Sequence, residues 1–317
     1  MCLTSAAKSS WLQGVTFPTR NHAHNHSPPP IATGTAGVGA ATVIELARHN
    51  PSQLIFTGRN VTSAASTIAS VHAAAPNLPI TFLPCDLANL SSVATAATTL
   101  LTTLPRLDIL LCNAGILAKP PALSTDGYEI QFATNHLGHA LLTLKLLPLL
   151  ERTAALPGAD VRLVVVSSTG WRGAPPGAGI VFDRLKTTQD MPVLGRWLRY
   201  GQSKLANMLW AREVARRYPR ILAFSVTPGV VETGMVAGLG VVDKLLVYVP
   251  NAGRVRTVEE GAHNLLWAVG TPREGVERGR FYEEVGVLSK MESKASRDPT
   301  LGGRLWEWTE TELKPFL

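Results

Sequence analysis

Short apolar runs alternate with segments of helical length along most of this chain, and that alternation constrains its fold more than any other feature. The runs lie at residues 54–57, 80–83, 107–112, 161–167 and 221–226. Each is β-branched or leucine-rich and bounded by turn residues, which predicts strands. Between them, residues 40–49, 61–74, 90–104, 128–150 and 200–218 have the length and apolar spacing of helices. Strands alternating with helices build a parallel sheet covered on both faces, and such a sheet needs strands that are apolar throughout. The expected fold class is α/β, a single domain with a doubly wound parallel sheet flanked by helices. The 317 residues and 45% hydrophobic content suffice for one large core. No repeat or linker divides residues 31–317. Residues 1–30 lack periodicity and carry His22, His24 and His26 before Pro28, Pro29 and Pro30. They are expected to form a disordered or atypical tail, with the histidines incidental.

The net charge of +7 comes without any Lys/Arg-rich run. It predicts a solvated basic surface with a contribution from a phosphate-binding cleft, and no nucleic-acid partner. Cys2, Cys85 and Cys112 form neither a disulfide framework nor a CxxC metal pair. Cys85 and Cys112 sit in apolar runs and read as small buried thiols, which fits a reducing intracellular compartment. No apolar run reaches the ~18 residues of a membrane helix, and the N-terminus lacks the apolar core of a secretory signal. A cytoplasmic location is expected.

The chemistry-bearing residues cluster at the ends of the runs, where open α/β sheets place their ligands. Thr33-Gly34-Thr35-Ala36-Gly37-Val38-Gly39 leads into the first helix. Glycines there let backbone N–H groups approach a pyrophosphate, although an ordinary tight turn has the same composition. Arg59 follows the second strand, twenty residues after Gly39. An Arg at that place suits the 2′-phosphate of NADP, where a carboxylate would suit NAD; a solvated surface Arg is the alternative. Asp86-Leu87 could meet an adenine amino group or cap the next helix. Asn113-Ala114-Gly115 ends the fourth strand in small residues that let a cofactor pass close to the backbone. Tyr200 and Lys204 lie four apart on a predicted helix, so both reach one cleft, where an ammonium lowers the phenol pKa. The YxxxK spacing arises readily by chance and gains weight only from its company. Ser168, at the C-terminal end of the strand predicted over 161–167, could bond a substrate oxygen or merely local backbone. Asn135 lies inside an apolar helix, where a buried amide needs a reason. Pro228-Gly229-Val230-Val231-Glu232-Thr233 offers backbone donors beyond the strand at 221–226.

In this order, these elements resemble the short-chain dehydrogenase/reductase family, from Gly34 to about Leu313. The resemblance implies a Rossmann fold and a catalytic tetrad of Asn135, Ser168, Tyr200 and Lys204. It implies NADP(H) contacts from Gly34, Gly37, Val38, Gly39, Arg59, Asp86, Leu87, Asn113, Ala114, Gly115, Tyr200, Lys204, Pro228, Gly229, Val231 and Thr233. His136–Gly138, Ser203–Asn207 and Leu305–Thr309 are similar to the branch of retinol dehydrogenases and WW-domain oxidoreductases, without a WW domain. The implied activity is interconversion of a carbonyl and an alcohol on a small hydrophobic substrate of retinoid, steroid or secondary-metabolite type. Members include dimers, tetramers and monomers, so a homodimer is one expected state. A non-catalytic NADPH-binding scaffold is the alternative. Residues 171–199 and 241–249 are expected to border the substrate, with Trp171 and Trp197 either lining it or packing. One departure stands out. The family turn reads TGxxxGxG, whereas only Thr35 and Ala36 separate Gly34 from Gly37. Upstream, prolines occupy the place of the first strand, which is expected to be damaged, truncated or supplied differently.

Overall fold

The computed structural model describes residues 30–191, 194–291 and 293–317. Its centre is an eight-stranded sheet built from β1 (Pro30–Thr33), β2 (Leu54–Gly58), β3 (Ile80–Pro84), β4 (Ile109–Cys112), β5 (Arg162–Val166), β6 (Leu222–Val226), β9 (Phe281–Glu283) and β10 (Val287–Leu288). The spatial order is β10-β9-β6-β5-β4-β1-β2-β3, parallel except for the β9–β10 pair. A small parallel pair, β7 (Val230–Val231) and β8 (Val255–Arg256), stands apart. The order reverses between β1 and β4, the switch point at which ligands bind in such sheets.

The first strand is short but present. Pro30 opens it, opposite Ile109, and Ile31 and Ala32 pair with both β2 and β4. Proline is tolerated as the first residue of a strand. The rest of the expected tail, with Cys2 and the three histidines, lies outside the described residues.

Helices cover both faces. On one side α1 (Gly37–Ala47), α2 (Val61–Ala74) and α8 (Val258–Gly270) pack on Phe56, Leu111, Val164 and Phe224. On the other, α3 (Leu90–Thr103), α4 (Gly138–Ala154), α5 (Gly195–Arg217) and α10 (Pro299–Leu313) pack on Ile31, Leu110, Leu163 and Ala223. Alternate strand residues thus feed opposite cores, which is why the strands read as unbroken apolar runs. Two short helices, α6 (Gly234–Ala237) and α7 (Val241–Tyr248), follow β7, and α9 (Lys294–Arg297) precedes α10. Side chains cap α2 through Asn60, α3 through Asn89, α8 through a Thr257–Glu260 capping box and α10 through Asp298.

The helix expected over 128–150 is interrupted. One α turn at Ile130–Phe132 runs into a π-helical stretch, Ala133–Leu137, before α4. The segment 171–199 is only partly a border of the cleft. Trp171, Ile180, Phe182 and Leu185 are buried in the main core, so Trp171 is a packing residue. Cys85 and Cys112 are buried, and burial raises both thiols to about 12. Among the described residues, no helix is long and apolar enough to cross a membrane.

Candidate active site

The strand ends at the switch point open into a cleft of about 820 Å³. Every residue expected to contact the cofactor lines it; of the expected tetrad, Ser168, Tyr200 and Lys204 line it and Asn135 lies behind its wall.

The short glycine turn closes because its ends take backbone conformations that side chains disfavour. Gly34 has φ +122° and Gly37 +56°, so Thr35 and Ala36 suffice to reverse the chain into α1. A Cβ on Gly39 would stand 2.6 Å from the Asn113 amide, and one on Gly58 2.6 Å from the Thr35 methyl. The turn is thus a tight four-way junction of β1, α1, β2 and the end of β4. Unlike α2 and α3, α1 has no side-chain cap. Its first residues, Gly37, Val38 and Gly39, face the cleft. Uncapped N–H groups and the positive end of the helix dipole suit a phosphate.

Thr33 links this junction to the other wall. Its Oγ1 accepts from the backbone N–H of both Asn113 and Ala114 at 2.8 Å. It also lies 3.0 Å from His139 Nε2. His139 Nδ1 is 3.1 Å from the Asn135 carbonyl, which can only accept, so Nδ1 carries the proton and Nε2 receives the Thr33 hydroxyl. Burial lowers the His139 pKa to about 4, so the ring stays neutral. The Thr33 hydroxyl thereby uses its one donor and both acceptor positions. Thr33 was read only as the head of the glycine turn and His139 was given no role, because their pairing joins residues 106 positions apart.

Asn135 sits in the π-helical stretch with its side chain saturated. Oδ1 accepts from Ile116 N at 2.7 Å, while Nδ2 donates to Ile116 O at 3.0 Å and Ser203 Oγ at 2.9 Å. Ser203 in turn donates to Tyr200 O at 2.8 Å. A Cβ on Gly115 would approach Asn135 Oδ1 to 3.0 Å and Lys204 Nζ to 3.4 Å. Asn135 therefore clamps the loop after β4 against α5, the helix that carries Tyr200 and Lys204.

The two serines after β5 diverge. Ser167 is buried and donates to Lys204 O at 2.7 Å. Ser168 Oγ accepts from Gly170 N at 3.1 Å and lies close enough to Tyr200 to favour its ionised form. The 3₁₀ turn at Thr169–Gly173 lies almost in contact with α5. A Cβ on Gly201 would fall 2.4 Å from the Gly173 carbonyl carbon, and one on Gly170 2.8 Å from the Tyr200 ring. Lys204 Nζ donates to Val166 O at 3.1 Å and lies 5.9 Å from the Tyr200 ring centroid. Burial lowers the Lys204 pKa to about 8. Burial raises the Tyr200 phenol, against a smaller lowering by Ser168. The expected depression of Tyr200 by Lys204 does not appear here; burial sets the direction. One residue upstream, fully buried Arg199 lies 3.2 Å from Glu129 and donates to Gln189 O and Lys119 O. This pair, which the sequence reading missed, pins the start of α5.

Arg59 is 66% exposed and 3.9 Å from Asp86. Asp86 Oδ1 accepts from Ala88 N at 3.0 Å, while Asn89 is the cap of α3. At the far end, Gly229 has φ +80°, and a Cβ there would meet the Glu284 carboxylate at 2.8 Å. The opposite wall is apolar, with Leu117, Val236, Leu246 and Val247 beside Trp197.

Comparison with known proteins places these features in one family. The family model described as short chain dehydrogenase matches residues 31–177. A short-chain dehydrogenase/reductase of Aspergillus calidoustus is 35% identical over 296 residues, covering 90% of this chain and 92% of the relative. Human retinol dehydrogenase 14 is 35% identical over 233 residues, covering 71% of this chain and 64% of the relative. The crystal structure of NADPH-bound carbonyl reductase from chicken fatty liver superposes with a TM-score of 0.62 at 22% identity, covering 84% of this chain and all 100% of that one. Because the Aspergillus relative matches at 35% identity over nine-tenths of both chains, the chain belongs to the short-chain dehydrogenase/reductase family of oxidoreductases, which work with a nicotinamide cofactor.

Proposed function

We propose that the cleft takes NADP(H) and interconverts a carbonyl and an alcohol on a small apolar substrate. The observation that carries this reading is the convergence of Ser168, Tyr200 and Lys204 in the cleft that also receives the uncapped start of α1. Keeping a lysine buried with its pKa at about 8 is costly without a use for it, which weighs against a scaffold role.

The residues fit the cofactor. Gly37–Gly39 supply backbone donors for the pyrophosphate, and Asn113–Gly115 give a flat wall. Arg59, held only loosely at 3.9 Å by Asp86, is free to meet a 2′-phosphate. The NADPH in the chicken carbonyl reductase supports the same choice. When bound, the nicotinamide supplies or accepts a hydride at the substrate carbon.

The proton on the substrate oxygen belongs to Tyr200. Ser168 Oγ, its lone pair held by Gly170 N–H, is left to donate to that oxygen and stabilise its developing charge. The Lys204 ammonium, once drawn from Val166 O, favours phenolate and so eases proton release. Asn135 acts through position: its side chain, bonded to Ile116 and Ser203, fixes the wall beside Lys204, and to it falls the positioning of a relay water. Leu117, Val236, Leu246, Val247 and Trp197 favour an apolar substrate.

The test is Tyr200→Phe assayed by NADPH consumption over a panel of apolar aldehydes and ketones. Turnover is expected to fall by about 10²–10⁴-fold with NADPH binding retained. Undiminished turnover would remove Tyr200 from the reaction; absence of turnover in the parent across the panel would favour the scaffold reading.

A further inference from the structure

Helix α7 stands at the mouth of the cleft with most of its apolar side facing outward and Leu246 bordering the cleft. At about 100° per residue, Val241, Val242, Leu245, Leu246 and Val249 fall within an arc of about 140°. They are 77%, 72%, 56%, 46% and 67% exposed. The opposite side of the helix is already docked. Asp243 is buried and accepts from Arg196 at 2.6 Å and from the Trp197 indole at 2.8 Å. Val247 and Tyr248 pack on Leu117, Ala118 and Val236. A water-facing arc would ordinarily be polar, and a contiguous apolar patch marks an interaction surface.

The charges around the patch select its occupant. Arg172 and Arg254 are exposed on the same rim of the cleft as Leu246. Lys244 lies on α7, and the one acid of that helix is neutralised by Arg196. The nearest exposed acid in sequence, Glu232, precedes α6. A second copy docked on this patch would bring like charges together. An anionic bilayer satisfies both features, with apolar side chains at the acyl boundary and cations among the phosphates.

We propose that α7 docks the protein on an anionic lipid surface, so that the cleft opens toward the bilayer and an apolar substrate enters from the lipid. The entry route rests on the cleft being the substrate site, whereas docking is read without substrate or cofactor, so the two ideas fail separately. The experiment is sedimentation of the full chain with phosphatidylcholine vesicles, with and without phosphatidylserine. Binding to the anionic vesicles is expected, weakened by salt. Leu245→Glu combined with Val249→Glu, neither of which lines the cleft, is expected to lower vesicle affinity by about tenfold or more. Because both positions are exposed, the double variant is expected to keep the parent melting temperature, and the milder Leu245→Ser should show an intermediate loss. No sedimentation with either vesicle overturns the proposal. So does binding that the double substitution leaves unchanged, or a solution dimer that the same substitution dissolves.

Discussion

Replacing Thr33 with valine removes one hydroxyl and, with it, three hydrogen bonds. The shape is nearly preserved, so the effect reports the bonds. Two backbone N–H groups, of Asn113 and Ala114, lose their acceptor at 2.8 Å, and His139 Nε2 loses its donor at 3.0 Å. Thr33 is fully buried, so no water replaces the hydroxyl in place. A buried polar group left without a partner costs about 1–3 kcal/mol. Asn113 and Ala114 border the cleft and can find partial solvation, which puts each near the low end. The expected loss is about 3–5 kcal/mol of unfolding free energy. Thr33→Ser keeps the oxygen and loses one methyl, for about 1 kcal/mol. Urea denaturation of the two variants beside the parent checks this. If the valine variant falls within about 1 kcal/mol of the serine variant, the hydroxyl is not the junction described here.

Three further outcomes follow from the site. In the reductive direction, kcat/KM should fall as pH rises through about 8, where Lys204 loses its proton, as a pH–rate profile will show. The same depressed pKa penalises the folded state fully below about 8, and the penalty fades between there and the ordinary lysine value of 10.5. Lys204→Met should therefore abolish turnover yet raise stability at neutral pH by about 2 kcal/mol, after the lost bond to Val166 O, measured by chemical denaturation. Gly201→Ala would drive a methyl into the Gly173 backbone, so the Ser168–Gly173 turn must move off Tyr200. Activity should fall by at least about 100-fold while NADPH affinity, read by fluorescence, changes little.

The sheet was legible because periodicity reports burial. Strands β2 to β6 and helices α2 and α3 fall within a few residues of their expected bounds, since each is apolar on both faces or cleanly amphipathic. Strand β1 was obscured because Pro30 supplies a fourth of its residues, though it sits at the tolerated first position. β9 and β10 are too short for a period to show, although Gly286, with φ +69°, marks the turn between them. The interruption at Ala133–Leu137 escaped because a π turn has the same apolar content as an α turn. In the site, residues defined by type and spacing could be named in advance, and they line the cleft or lie behind its wall. Those defined by contact could not: Thr33 with His139, Ser203 beneath Asn135, Arg199 against Glu129. Their partners lie 106, 68 and 70 positions away in the chain, and local sequence holds no trace of such pairings.

The most direct measurement is titration of the parent and of Arg59→Asp with NADPH and NADH, followed by nicotinamide fluorescence. The account predicts that the parent binds NADPH at least about tenfold more tightly than NADH and that the substitution erases or reverses that preference. Equal binding of the two cofactors by the parent, or binding of neither by the folded chain, would contradict it.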